Sequence, residues 1–320
     1  MGGAGMNSEV RTAHRPRIQV LFDPAPPTSV PRAPFADVLA DPATSPGLRE
    51  AVEALNRLIG LDRVKWVLYG VYAYLTVGQR RLEAGLKAQR QTLHMVFRGN
   101  PGTGKTTVAR LVGRLLHEMG VLAKGHLVEA ERADLVGEYI GHTAQRTREH
   151  IKKALGGVLF IDEAYSLARG GEKDFGKEAI DTLVKAMEDH RDEFVLILAG
   201  YPQEMDAFLR VNPGLPSRFP IQLTFPDYTV DELLAIADQM VRDHDYVLSP
   251  TARLKLKRMI VRAMDHPAGG FSNARFVRNV LERAFRRQAL RLLHKSPVTR
   301  DELMTLLPED LEVAEARDIW

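Results

Sequence analysis

Apolar positions along the chain follow two rhythms. After Ser45-Pro46, an N-cap with proline at the first helical position, Leu48, Val52, Leu55 and Leu58 fall on one helical face. Ile59-Gly60-Leu61 breaks that pattern, and Asp62 is placed to cap a longer helix running to about Leu86. Beyond it come short, almost purely apolar runs: Leu93–Phe97, Leu127–Glu129, Gly157–Ile161, Phe194–Ala199 and Ile221–Phe225. Each is too short for a helix and reads as a buried strand. Amphipathic helical stretches separate them, at Thr107–Met119 and Thr143–Ala154. Apolar strands alternating with amphipathic helices predict an α/β domain, a parallel sheet with helices on both faces.

The rhythm changes at Thr229. A capping box, Thr229-Val230-Asp231-Glu232, opens one helix, Ser249-Pro250 a second, and Asn273–Leu293 form a third, with no strand between them. The expected organisation is an N-terminal arm over 1–45, an α/β domain over 46–227, and a small all-helical domain with a tail over 228–320. The arm carries seven of the chain's 18 prolines and no periodicity, so it is expected to stay mobile. Within it, Pro24-Ala25-Pro26-Pro27 is read as linker sooner than as a docking motif.

Composition narrows the classes. Lys and Arg outnumber Asp and Glu by only 44 to 41, which gives no argument for nucleic acid as a partner. Cysteine is absent, which removes disulfides, zinc–thiolate sites and thiol nucleophiles. Met1–Val10 lacks the regions of a signal peptide, and the longest apolar run, Trp66–Val77, is too short to span a bilayer. No membrane insertion and a cytoplasmic location are therefore expected.

The chemistry starts at Gly99-Asn100-Pro101-Gly102-Thr103-Gly104-Lys105-Thr106, between a predicted strand and a predicted helix. This is the G-x-x-x-x-G-K-[ST] spacing. Its glycines let backbone N–H groups turn inward around phosphate, and the helix N-terminus adds partial positive charge. Pro101, Gly102, Thr103, Gly104, Lys105, Thr106 and Thr107 are thus expected to bind nucleotide. Lys105 would reach the β- and γ-phosphates, and the Thr106 hydroxyl would ligate Mg²⁺. The second signal is Asp162-Glu163 at the end of an apolar strand. Asp162 is the expected Mg²⁺ partner and Glu163 the base that activates water against the γ-phosphate. Together they predict a hydrolase, with Glu163 as the base. A GTPase is disfavoured because no Asn-Lys-x-Asp motif occurs, while the loop by itself does not exclude a small-molecule kinase.

With these motifs in order, and a helical domain after the sheet, the chain resembles the AAA+ ATPases over about Ser45–Leu293. The resemblance implies a P-loop NTPase fold with a helical lid. It also implies a homo-oligomeric ring, usually a hexamer, with ATP between neighbouring subunits. By this likeness Ile59, Gly60 and Leu61 match the segment that packs on adenine. Arg218, in Leu215-Pro216-Ser217-Arg218-Phe219, matches the arginine finger. Arg275, in Asn273-Ala274-Arg275-Phe276, matches the lid arginine that senses the γ-phosphate, with Arg278 one turn on as the competitor. Tyr139, Ile140 and Gly141 match the pore loop that grips a protein substrate. Many members place an Asn at the end of the fourth strand; here Ala199-Gly200-Tyr201 stands, and Tyr201 is the nearest polar substitute.

Within the family, Gly141-His142-Thr143-Ala144, Asp162-Glu163-Ala164-Tyr165, Ala199-Gly200-Tyr201 and Phe225-Pro226-Asp227-Tyr228 resemble a bacterial branch. That branch holds stage V sporulation protein K and the red-type Rubisco activase, and the run Ser166–Glu178 is more like the sporulation protein. The implied activity is ATP-driven remodelling of a protein target, in sporulation first and on Rubisco second. An ATP-gated scaffold and a nucleic-acid motor remain as alternatives. His117-Glu118-Met119-Gly120-Val121 lacks the second His of a zinc protease motif. Arg283, Arg286, Arg287 and Arg291 on the last lid helix read as a solvated or intersubunit face, not a nucleic-acid surface.

Overall fold

The computed structural model describes residues 33–88, 91–139, 141–169, 174–211, 214–265 and 270–312. Ser45 caps helix α2 (Pro46–Arg57) as expected, accepting from the Leu48 amide. A preceding short helix, α1 (Ala36–Ala40), is unforeseen. The arm expected over 1–45 therefore already carries structure from residue 33, and its first 32 residues, with the Pro24–Pro27 segment, lie outside the described residues. The reason is one side chain. Phe35 is fully buried, edge-on to Tyr69 with ring centroids 5.3 Å apart and 5.8 Å from Tyr72. Arg49 then ties α1 down through the carbonyls of Leu39 and Asp41. A single aromatic among prolines and charges leaves no periodic trace.

Helix α3 (Asp62–Glu83) begins one residue differently from expectation. Leu61, not Asp62, is its N-cap, left-handed at φ 57°, after Gly60 at φ 62°. A Cβ on Gly60 would lie 2.4 Å from the Glu232 carboxylate, so a side chain there would strain the backbone and push that carboxylate aside.

The α/β part continues with β1 (Met95–Gly99), α4 (Lys105–Glu118), β2 (Leu127–Ala130), α5 (Arg132–Leu135), α6 (His142–Ala154), β3 (Val158–Ile161), α7 (Gly176–Asp189), β4 (Val195–Gly200), α8 (Pro202–Val211), α9 (Leu215–Arg218) and β5 (Ile221–Phe225). All five strands are parallel, in the order β2-β3-β4-β1-β5. Alternate residues serve opposite faces, as the pleat demands. Met95, Phe97, Phe160, Ile197 and Leu223 face one core, which also takes in α2, α3 and α4. Val96, Leu159, Ile161, Leu196 and Leu198 face the other, under α6, α7 and α8. With both faces covered, β3 and β4 are buried throughout and read as continuous apolar runs, whereas the edge strand β5 keeps Gln222 and Thr224 on its less buried side.

The lid comprises α10 (Val230–Arg242), β6 (Val247–Leu248), α11 (Pro250–Asp265), α12 (Ala274–Leu292), α13 (Arg300–Met304) and β7 (Thr305–Leu306). Its capping box at Thr229 and Glu232 is made as expected. It is not helix alone, because β6 and β7 pair in parallel. Residues 300–312 wrap α12, fixed by the buried Gln288 amide against the carbonyls of Glu302, Leu303 and Thr305. Arg291 forks onto the buried Asp310 at 2.9 Å through both oxygens, and Arg287 pairs with Glu312. Two of the four arginines read as a solvated or intersubunit face are thus used inside the lid. No helix among the described residues is long and apolar enough to cross a membrane.

Candidate active site

The carboxyl ends of β1, β3 and β4 and the start of the lid surround a cleft of about 490 Å³. In a parallel sheet, ligands bind at these strand ends. Strand β1 runs into the glycine loop, and α4 starts from Gly104, left-handed at φ 95°. Nothing but glycine tolerates that conformation cheaply, and its missing side chain leaves room for the Tyr228 hydroxyl. The Lys105 ammonium bends back to the carbonyls of Gly99 at 2.7 Å and Asn100 at 2.9 Å. Burial lowers the Lys105 pKa, the Asp162 carboxylate opposes that, and the Arg275 charge adds to the lowering. A half-buried cation held by two loop carbonyls is a ready partner for phosphate.

Strand β3 delivers the carboxylates. Asp162 continues the ladder through its amide to Ala130 and accepts from the Glu163 amide at 2.9 Å. Glu163 then turns left-handed at φ 46°, ψ 41°, so the two carboxylates leave the strand in different directions. Such a conformation costs a non-glycine residue on the order of 1 kcal/mol. Tyr165 is buried two residues on, and burial and then the nearby Glu163 charge push its pKa up to about 12. Its ring lies where a side chain on Gly200 would be, 2.7 Å from that position. Neither the role of Tyr165 nor the reason for Gly200 is legible in the sequence, because the two are 35 positions apart and meet only across β3 and β4.

Around this centre the cleft is lined by Ile59, Leu61, Pro101, Gly102, Gly104, Lys105, Thr106, Thr107, Asp162, Glu163, Tyr201, Arg275 and Arg278. Most of the residues expected at a nucleotide site are thereby brought together. Gly60 lies just behind the wall, against Tyr228 and Glu232, and Thr103 is fully buried with its hydroxyl on the Asn100 carbonyl. Both lid arginines face the cleft, and Arg275 is the one whose charge reaches Lys105. Tyr201 packs 6.1 Å from Tyr165, at the end of β4. Helix α10 adds Ile236, Gln239 and Met240, and its C-cap adds Asp243, which no motif announced.

Arg218 is elsewhere: it does not line the cleft, and it pairs with Glu188 of its own chain. Tyr139 is 65% exposed, so it is no core-edge residue, and Gly141 has φ 84° with open space beside it. Ile140 lies outside the described residues.

Comparison with known proteins agrees with this geometry. Residues 95–227 match the family described as "ATPase family associated with various cellular activities (AAA)", and residues 229–319 match the AAA lid domain. Over 270 residues the chain is 59% identical to stage V sporulation protein K of Bacillus subtilis, covering 84% of each chain. The chain belongs to the AAA ATPase family. Other AAA relatives include protein CbbX of Cereibacter sphaeroides, 47% identical over 84% of this chain and 87% of that one. A chloroplastic ribulose bisphosphate carboxylase/oxygenase activase of Cyanidioschyzon merolae is 46% identical over 82% of this chain and 91% of its own length.

The donor set suits the nucleotide and metal this family uses. Thr106 offers a hydroxyl and Asp162 a carboxylate, the hard oxygen ligands Mg²⁺ takes, beside a lysine and an arginine for phosphate.

Proposed function

We propose that the protein is a Mg²⁺-dependent ATPase that works as a homo-oligomeric ring, a hexamer by family likeness, and remodels a protein target. The observation that carries this is the division of the charged groups. Lys105, Thr106, Asp162, Glu163 and Arg275 line one cleft, whereas Arg218 stands apart from it. A site with its own phosphate grip, base and lid arginine, but with the finger outside, calls for a neighbour to complete it.

In this reading Lys105 and the loop amides hold the β- and γ-phosphates, and Thr106 and Asp162 hold Mg²⁺. The metal supplies charge neutralisation at the phosphates. Glu163 accepts a proton from the attacking water. Arg275 contacts the γ-phosphate from the lid, and the neighbour's Arg218 neutralises charge on the transferring group. Ile59–Leu61 and α10 receive the base. Tyr139, exposed near a glycine with open space beside it, meets the protein substrate through nonspecific aromatic contact.

Identity to stage V sporulation protein K above that to the Rubisco-related proteins supports a role in sporulation. A cytoplasmic location follows from that role. The test is ATPase rate per subunit against protein concentration, with mass measured alongside. A steep rise as the ring forms is expected; a constant rate from a monomer would sink the trans model. Tyr139→Ala separates a motor from a scaffold: remodelling is lost while ATPase and assembly persist.

A further inference from the structure

At the start of α12 one amide side chain joins both halves of the molecule. Asn273 is completely buried and sits at φ 49°, ψ −127°, a conformation that L side chains rarely adopt. Strain of this kind persists where the surroundings over-determine the residue. Its Oδ1 accepts from the Tyr228 amide at 3.0 Å, and its Nδ2 donates to Asp227 at 2.8 Å and points to the Pro101 carbonyl at 3.4 Å. Asp227 takes a second amide from the other side: Asn100 Nδ2 stands 2.9 Å from each of its oxygens. One carboxylate in the segment between β5 and α10 therefore holds an amide from the phosphate loop and an amide from the lid.

Backbone contact reinforces the junction. The Ala274 amide donates to the Gly102 carbonyl at 3.2 Å. Gly102 has φ 71°, and a Cβ there would lie 2.1 Å from the Ser272 carbonyl and 2.8 Å from the Arg275 amide nitrogen. The loop and the first turn of α12 thus meet with no slack between them. Arg275 comes two residues after Asn273, on the first turn that this junction fixes.

We propose that Asn273, acting through Asp227, is a positioning residue that sets where Arg275 enters the phosphate cleft. A shift of the loop at Asn100–Gly102 is thereby passed to the lid as a shift of Arg275. The inference rests on the reading of Arg275 as a γ-phosphate contact. A merely structural role for Asn273 would weaken every nucleotide alike. A positioning role alters the preference for a triphosphate over a diphosphate.

The experiment measures the affinity of the full chain for ADP and for an imido-linked, nonhydrolysable ATP analogue, both with Mg²⁺. Arg275→Ala sets the scale. Asn273→Asp puts a second carboxylate against Asp227, and Asn100→Ala cuts the loop-side amide without touching the lid. Asp227→Asn combined with Asn273→Asp restores one acid facing one amide. The analogue-to-ADP affinity ratio is expected to fall about tenfold in Arg275→Ala and in Asn273→Asp, the scale of one lost charge-assisted hydrogen bond. It should fall in the same direction in Asn100→Ala and largely recover in the exchanged pair. Equal weakening of both nucleotides in Asn273→Asp and Asn100→Ala, or no recovery in the exchanged pair, overturns the proposal. An unchanged ratio in Arg275→Ala removes the reading of Arg275 itself, and the proposal with it. Should Asn273→Asp not fold, the exchanged pair and Asn100→Ala decide.

Discussion

The guanidinium of Arg218 is ion-paired with Glu188 of the same chain, and it donates to the Gly214 carbonyl at 2.9 Å. The carboxylate partner is largely exposed, and an exposed pair of this kind is worth at most about 1 kcal/mol. In the proposed ring a neighbour's triphosphate, carrying several charges, would displace such a partner easily, so a finger at Arg218 would be parked, not locked.

Arg218→Ala should therefore bind ATP yet lose about a thousandfold or more in turnover, the usual worth of an arginine finger. Glu188→Gln should change the steady-state rate by no more than a few-fold. Mixing decides the geometry. Subunits with Arg218→Ala and subunits with Glu163→Gln should each be inactive alone, but a mixed ring would contain interfaces with an intact finger and an intact base. Recovery of ATPase on mixing is the expected outcome, and no recovery would mean that the arginine does not act across subunits.

Tyr165, whose ring lies against Gly200, is near enough to Glu163 for that carboxylate's charge to raise its pKa. Glu163→Gln should retain nucleotide and lose about a hundredfold or more in turnover, the scale of general-base catalysis. Gly200→Ala should act at a distance, because the added methyl would stand 2.7 Å from the Tyr165 ring and 2.9 Å from the Met205 sulfur. Single-turnover hydrolysis should slow while ATP affinity holds. Tyr165→Phe, which keeps the ring and loses only the hydroxyl, should reproduce a milder form of the same defect. A Gly200→Ala protein with unaltered single-turnover rates would show that the ring has no influence on the base.

His94 sets a pH dependence of stability. It is buried between Phe194 and Phe219, and its Nδ1 accepts from the Leu196 amide at 3.0 Å. Burial, with the Arg191 charge second, lowers its pKa from 6.5 to about 4. Above pH 6.5 the ring is neutral in both folded and unfolded chains. Between 6.5 and about 4 the unfolded chain binds a proton that the folded chain refuses, so stability falls as pH falls through that window. At about 1.4 kcal/mol per pH unit the whole effect is about 3 kcal/mol. Thermal unfolding from about pH 7 to about pH 4.5 should show a steeper loss in the natural protein than in His94→Gln. Parallel slopes would assign the acid sensitivity to other groups.

Phe35 should matter as much as a core residue of the sheet. Phe35→Ala removes a fully buried ring from between Tyr69 and Tyr72 and should cost about 3–5 kcal/mol. Denaturant unfolding monitored by CD would register this as a lower midpoint. A change under about 0.5 kcal/mol, the range of ordinary surface substitutions, would mean that α1 adds nothing to the core.

How much of this was legible depended on the distance over which each signal acts. Gly99–Thr106 could be read directly because a phosphate grip needs its glycines, lysine and threonine within one short stretch of chain. Asp162-Glu163 was legible for the same reason, as a pair of acids closing an apolar strand. The central strands β3 and β4 announced themselves because burial on both faces strips their polar positions. The start of α3 was misplaced by one residue because Leu61 adopts a left-handed conformation that its side chain does not advertise. Phe35 was lost in the arm because one ring has no period.

The chain alone thus determined the class of fold and the phosphate chemistry, since both are written in spacings of a few residues. Folding decided the rest. It brought Tyr165 under Gly200, Glu188 to Arg218, and Asn100 and Asn273 onto Asp227, partners separated by about 30 to 130 positions. Nothing local ties such pairs together. Their meeting results from the strand order β2-β3-β4-β1-β5 and from the way the lid returns to the phosphate loop.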